Sequence, residues 1–168
     1  MHCPQKALVA FDSRTGSTAA MAEMIGRVLA EGIPHVEIRP IQAVQALTEY
    51  DAVVLGSPIR AGRLTRETLR FVDKHRAELR EKRVACFVSG MTLADDSMQR
   101  LDAASVCLDP VRMRLDLVDT AFFAGKMDYA MLGFFTRMIV KRLMKTPEGD
   151  YRDWEAIKLW GRGLLAKL

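Results

Sequence analysis

Five strand-like segments alternate with stretches of helical spacing along the 168 residues, and that alternation constrains the fold more than any other feature. Residues 7–11 are continuously apolar and short enough for a buried strand. From residue 17 to about 31, Met21, Met24, Ile25, Val28 and Leu29 recur at helical spacing, and Gly32 supplies the stop. Val36 and Ile38 alternate with Glu37 and Arg39, as in a strand with one wet side. Residues 52–55 and 84–88 are apolar throughout; between them a charged helix, about 65–80, turns Leu69, Val72 and Leu79 inward. Residues 97–108 read as a helix burying Met98, Leu101 and Leu108, residues 117–124 as the last strand. A final helix starts near Asp153 and buries Trp154, Ile157, Leu164, Leu165 and Leu168. Such alternation means a parallel sheet with helices on both faces. The strands near 7, 53 and 85 are apolar on both sides and therefore central, while the alternating strand near 36 is an edge. That is the doubly wound order 2-1-3-4-5.

The length suits one domain, which buries enough surface to fold without staples. A hydrophobic share of 49% with 27% charged residues is ordinary globular composition and excludes disorder. The three cysteines are odd in number and form no CxxC pair, and Cys86 sits in an apolar run, which argues for a reducing compartment without disulfides. The start carries no signal-peptide pattern and no run approaches the ~20 apolar residues of a membrane span. The expectation is a cytoplasmic protein, at most peripheral at the inner face of the membrane. A net charge of +4 and a pI near 9.1 suggest an anionic partner. Basic residues are not interleaved with aromatics, so nucleic acid is not expected. His2, His35 and His75 lack metal-ligand spacing, and no Ser-His-Asp triad arrangement is recognisable. Composition leaves the oligomeric state open.

Between the first strand and the first helix lies Asp12-Ser13-Arg14-Thr15-Gly16-Ser17-Thr18. Ligands of open α/β sheets bind beyond the carboxyl ends of the strands, where a helix N-terminus offers free N–H groups and a positive dipole end. Hydroxyls at 13, 15, 17 and 18 add donors, and Gly16 allows a tight turn close to an anion. No GxGxxG or GxxxxGK[ST] follows a strand, which counts against dinucleotide and NTPase folds. An ordinary Ser/Thr cap needs only one hydroxyl; four around a glycine favour a phosphate site.

Ser13-x-Thr15-Gly16-x-Thr18 resembles the flavodoxin phosphate loop [ST]-x-T-G-x-T. The rest of the chain is similar to the bacterial quinone-dependent protoporphyrinogen oxidases of that flavodoxin-like fold. The run Val53-Val54-Leu55-Gly56-Ser57-Pro58-Ile59-Arg60-Ala61-Gly62 resembles their V-V-I-G-A-S-I-R-Y-G, and Phe71-Val72-Asp73-Lys74-His75 their F-V-K-K-H. Phe123-Ala124-Gly125, residues 138–145 and Asp153-Trp154-Glu155 resemble their final third. The family tyrosine of the second loop is Ala61 here, and its N-L-x-A-R-K-P is Gly90-Met91-Thr92-Leu93-Ala94-Asp95-Asp96.

The resemblance implies non-covalent FMN as cofactor, a flavin-dependent oxidoreductase of heme biosynthesis, a porphyrinogen as anionic substrate, and a quinone or redox protein as acceptor. Ser13, Arg14, Thr15, Gly16, Ser17 and Thr18 would then hold the phosphate. Pro58, Ile59, Arg60, Ala61 and Gly62 of the second loop, with Ser89, Gly90, Met91 and Thr92 of the third, would flank the ring. Neither ring loop contains an aromatic residue, so aliphatic contacts such as Ile59 and Met91 are expected there. Arg60 matches the family arginine and lies with Arg63 on the site rim, while Arg66 and Arg70 read as a solvated helix face. Two other readings stay open: an electron carrier between proteins, and a flavin-free binding module on the same fold. An extra helix is expected at about 128–146, before the C-terminal one. Arg137, Lys141 and Lys145 share one face of it and Phe135 and Ile139 the other, which suits packing, a lid or a membrane surface.

Overall fold

The computed structural model describes residues 4–93, 98–127 and 149–168. Its elements in chain order begin with β1 (Lys6–Phe11), α1 (Ser17–Leu29), β2 (His35–Pro40), a 3-10 turn (Ile41–Ala43), β3 (Ala52–Arg60) and β4 (Arg63–Leu64). Then come α2 (Arg66–Lys74), α3 (Arg76–Arg80), β5 (Arg83–Gly90), a second 3-10 turn (Met91–Leu93), α4 (Met98–Cys107) and α5 (Asp109–Arg112). The chain closes with β6 (Leu117–Ala124), β7 (Lys126–Met127), β8 (Gly149–Asp150) and α6 (Trp154–Leu164). The expected extra helix at 128–146, and Asp95 and Asp96 of the third loop, lie outside the described residues.

The five long strands run parallel in the order β2-β1-β3-β5-β6, which is the expected 2-1-3-4-5 once the two-residue β4 is set aside. Successive side chains of a strand point to opposite faces, so the continuously apolar strands feed two cores. One joins Leu8, Val53, Leu55, Cys86 and Val88 to Val72 and Leu79. The other joins Val9, Val54 and Phe87 to Met21, Ile25 and Leu29 of α1 and Ile157 and Leu164 of α6. Burying a single Leu or Ile side chain contributes about 1.5–3 kcal/mol. β2 has no fully buried position, in keeping with its place at the sheet edge. Phe87, Phe123 and Trp160 pack ring against ring at 5.8 to 6.1 Å under α6.

The structure departs from the sequence reading at two places. The helix expected over 65–80 is two helices, because His75 leaves helical geometry with φ −104° and ψ 17°. Its buried ring lies 4.8 Å from that of Phe71, and Nδ1 meets Glu78 Oε1 at 2.9 Å. The second departure is at β3, which runs on to Arg60 and folds back as a hairpin through β4, where a loop was expected.

Glu78 ties this region together. Its other oxygen accepts the Leu47 N–H at 2.8 Å, and Leu47 is fully buried. The hydrogen bond from His75, and then the one from Leu47, hold the Glu78 carboxyl below its ordinary value. A depressed carboxyl stabilises the fold above the unfolded-state value, about pH 4.3, and loses that contribution as pH falls through the folded value. Glu78→Ala should lower stability by about 1–3 kcal/mol by stranding the Leu47 amide. Denaturant melts should also show a shallower loss of stability below about pH 4.3 in the variant than in the parent chain.

Candidate functional site

The carboxyl ends of β1, β3 and β5 carry three loops to one edge of the sheet, and a side-chain hydrogen bond connects the first to the third. The first loop ends at Gly16, which caps α1 in the left-handed conformation with φ 84° and ψ −12°. A side chain is disfavoured there, since Cβ crowds the following carbonyl. The first intrahelical bond runs from the Ala20 amide to Gly16 O at 3.0 Å. The amides of Ser17, Thr18 and Ala19 therefore have no intrahelical acceptor and face outward at the positive end of α1.

Each hydroxyl of the loop has a distinct place. Ser13 Oγ accepts the Gly16 amide at 3.1 Å and sets the turn. Ser17 Oγ accepts the Lys126 amide at 3.1 Å, which brings β7 against the loop. Thr18 Oγ1 and Ser89 Oγ share a buried hydrogen bond of 2.8 Å that clamps the first loop to the third. Thr15 is half-buried, and no hydrogen bond engages its hydroxyl among the described residues. Arg14 points out to an exposed ion pair with Glu67 at 3.6 Å, a geometry that contributes little to stability. The open donors here are neutral: three amides and one hydroxyl. They fit a phosphate held without a counter-cation.

The second loop is the β3–β4 hairpin. Arg60 pairs with Arg63 across a two-residue turn in which both Ala61 (φ 47°) and Gly62 (φ 71°) are left-handed, a type I′ turn. Pro58 and Ile59 are half-buried and Arg60 is exposed. Beneath them Ser57, Thr65 and Thr68 form a buried hydroxyl chain with links of 2.8 and 3.0 Å, joining β3 to the start of α2. Cys107 Sγ donates to Gly62 O, tethering the tip to α4, and burial raises that thiol above its ordinary value. In the third loop Ser89 is buried, Gly90 and Met91 are half-buried, and Thr92 belongs to the 3-10 turn.

The structure thus brings all three expected loops to one edge. It adds residues that the sequence reading missed. The Gly125 amide donates to Gly90 O at 3.1 Å, and the Tyr151 amide donates to Gly125 O at 3.2 Å. The β7–β8 pair therefore stands beside the third loop and presents Tyr151, 37% exposed, at its rim. Asp150, held below the usual carboxylate range chiefly by Arg152, closes that side. Among the described residues no group of His, Cys, Asp and Glu is placed to hold a metal ion.

A family model described as a flavodoxin domain matches residues 8–153. The chain belongs to the flavodoxin-domain family. Among characterised proteins it is similar to protoporphyrinogen IX dehydrogenase [quinone] of Leishmania major, 26% identical across 91% of this chain and 71% of the relative. The protein of that name from Escherichia coli K12 is 24% identical across 94% of this chain and 93% of its own. Oxidised flavodoxin 1 from Bacillus cereus superposes with a TM-score of 0.62 over 97% of this chain and 99% of that one, at 20% identity, a likeness of fold. The resemblance read from the loops agrees with the family so found.

Two measurements check the loops. Ala61→Gly should raise stability by about 0.5–1 kcal/mol. Relief of a left-handed alanine, about 1–2 kcal/mol, outweighs the ~0.4–1 kcal/mol that glycine's unfolded-state freedom costs. Thr18→Val should lower stability by about 1–3 kcal/mol, because Ser89 loses its buried partner. Both are read from urea unfolding midpoints at constant m-value.

Proposed function

We propose that this chain binds FMN non-covalently at the carboxyl edge of its sheet and works as a flavin-dependent oxidoreductase. The observation that carries the reading is the first turn of α1, where a left-handed Gly16 leaves three amides without an intrahelical acceptor next to the Thr15 hydroxyl. The Ser17, Thr18 and Ala19 amides and Thr15 would hold the phosphate, with Ser13 and Gly16 setting the turn. Pro58 to Gly62 on one side and Ser89 to Thr92 on the other would flank the ring, with Tyr151 at the margin.

Bound there, the isoalloxazine supplies the electron transfer. The chain's own residues bind, orient and shield. Half-buried Pro58, Ile59 and Met91 offer apolar contact, and the hydroxyl chain beneath Ser57 fixes the hairpin that carries two of them. The named relatives support protoporphyrinogen as the substrate and a quinone as the acceptor. Arg60, exposed on the hairpin, would meet a substrate carboxylate through its planar guanidinium.

The purified protein, or the protein titrated with FMN, should show flavin absorption bands. Thr15→Ala should weaken FMN by about ten- to a hundred-fold, since a hydrogen bond to a charged group contributes roughly 1.5–3 kcal/mol. Anaerobic protoporphyrinogen should then bleach the bands and a quinone restore them. Bands without bleaching would instead identify an electron carrier, and no bands a flavin-free module.

A further inference from the structure

A row of uncompensated cations runs from the tip of the β3–β4 hairpin along α2. Arg63, Arg66, Arg70 and Lys74 are all exposed, and none makes an ion pair among the described residues. The two acids beside them are already engaged, Glu67 with Arg14 at 3.6 Å and Asp73 with Arg114 at 2.5 Å. Other cations do meet a carboxylate: Lys6, Arg39, Arg112, Arg152, Lys158 and Lys167.

The row is also costly in the free protein. Arg66, Arg70 and Lys74 follow one another at i, i+4 spacing, where like charges repel. Arg66 opens α2, at the dipole end that disfavours a cation. Arg63 stands directly across the hairpin from Arg60, another like-charge pair. Beside the row, a cavity of about 250 Å³ opens between the first 3-10 turn and α2. Ile41, Val44 and Phe71 form its apolar floor, and Gln42, Glu67, Arg70 and Lys74 complete its lining.

We propose that this face binds an acidic protein segment that seats one aliphatic side chain in the cavity and sets its carboxylates against Arg63, Arg66, Arg70 and Lys74. The arginines favour carboxylates, which they meet in planar, two-pronged geometry. None of the exposed large apolar side chains among the described residues, Val106, Met113, Val118, Tyr151 and Leu159, belongs to the hairpin or to α2. A partner seated here stands next to the second loop, at the flank of the cradle. The inference goes beyond the flavin reading and does not depend on it.

The test is an amide NMR titration of the full chain with a synthetic Glu-rich peptide bearing one Leu, at low salt. Shifts should concentrate on the hairpin, α2 and Val44, and affinity should fall as salt rises. Arg66→Glu/Arg70→Glu should weaken the peptide by at least about ten-fold, and Arg66→Gln/Arg70→Gln by an intermediate factor. The charge-matched Arg27→Glu/Arg162→Glu, on α1 and α6, should bind within about two-fold of the parent. Replacing the peptide's Leu by Ser should also weaken it. The proposal is overturned by shifts spread over the whole basic surface, by equal affinity of Arg66→Glu/Arg70→Glu and parent, or by no binding at low salt. It is equally overturned if phosphatidylglycerol vesicles bind this face and the peptide does not. Titrating FMN into the same variants, followed by absorbance, reads the flavin site separately.

Discussion

The left-handed backbone at Gly16 is the conformation on which the carboxyl edge of the sheet depends. It turns the chain out of β1 and starts α1 with its amides uncovered. Ser13 stabilises the turn from below, Ser17 receives β7, and Thr18 reaches the third loop. A buried hydroxyl costs free energy unless it has a partner, so the Thr18–Ser89 pair makes the positions of two loops interdependent. The helix end, the two loops and the β7–β8 pair therefore form one connected frame. Its open donors are neutral amides and a hydroxyl, and under the flavin proposal the dipole of α1, rather than a cation, would meet the phosphate's charge.

The hairpin combines backbone strain with like-charge repulsion. Ala61 is the one non-glycine residue with positive φ among those described, and Arg60 faces Arg63 across the same turn. Such conformations persist only where the surroundings hold them. Here the buried Ser57–Thr68–Thr65 chain and the Cys107 tether do so. The sheet's two cores make that support rigid, while the exposed cations along α2 remain available to something outside the chain.

Much of this was legible in the residues. Continuous apolar runs located the central strands, the alternation at Val36 and Ile38 located the edge, and Gly16 marked the tight turn from β1 into α1. What escaped has physical reasons. Ala61-Gly62 lacks the Asn-Gly signal that marks most type I′ turns, so the hairpin read as a loop. Helical spacing continues through His75, and no local pattern reports its departure from helical dihedrals. Two-residue strands have no period, so β7 and β8 left no trace. The Thr18–Ser89 bond joins positions 71 residues apart, and no local pattern reports such a pairing.

The central claim is that the uncovered first turn of α1 binds the phosphate of a flavin nucleotide. The most direct measurement compares the affinity of the chain for FMN with that for riboflavin, which lacks only the phosphate. With several amide and hydroxyl bonds to a charged group, FMN should bind at least about a hundred-fold more tightly, the factor equal to roughly 2.7 kcal/mol. Riboflavin binding as tightly as FMN would contradict the account.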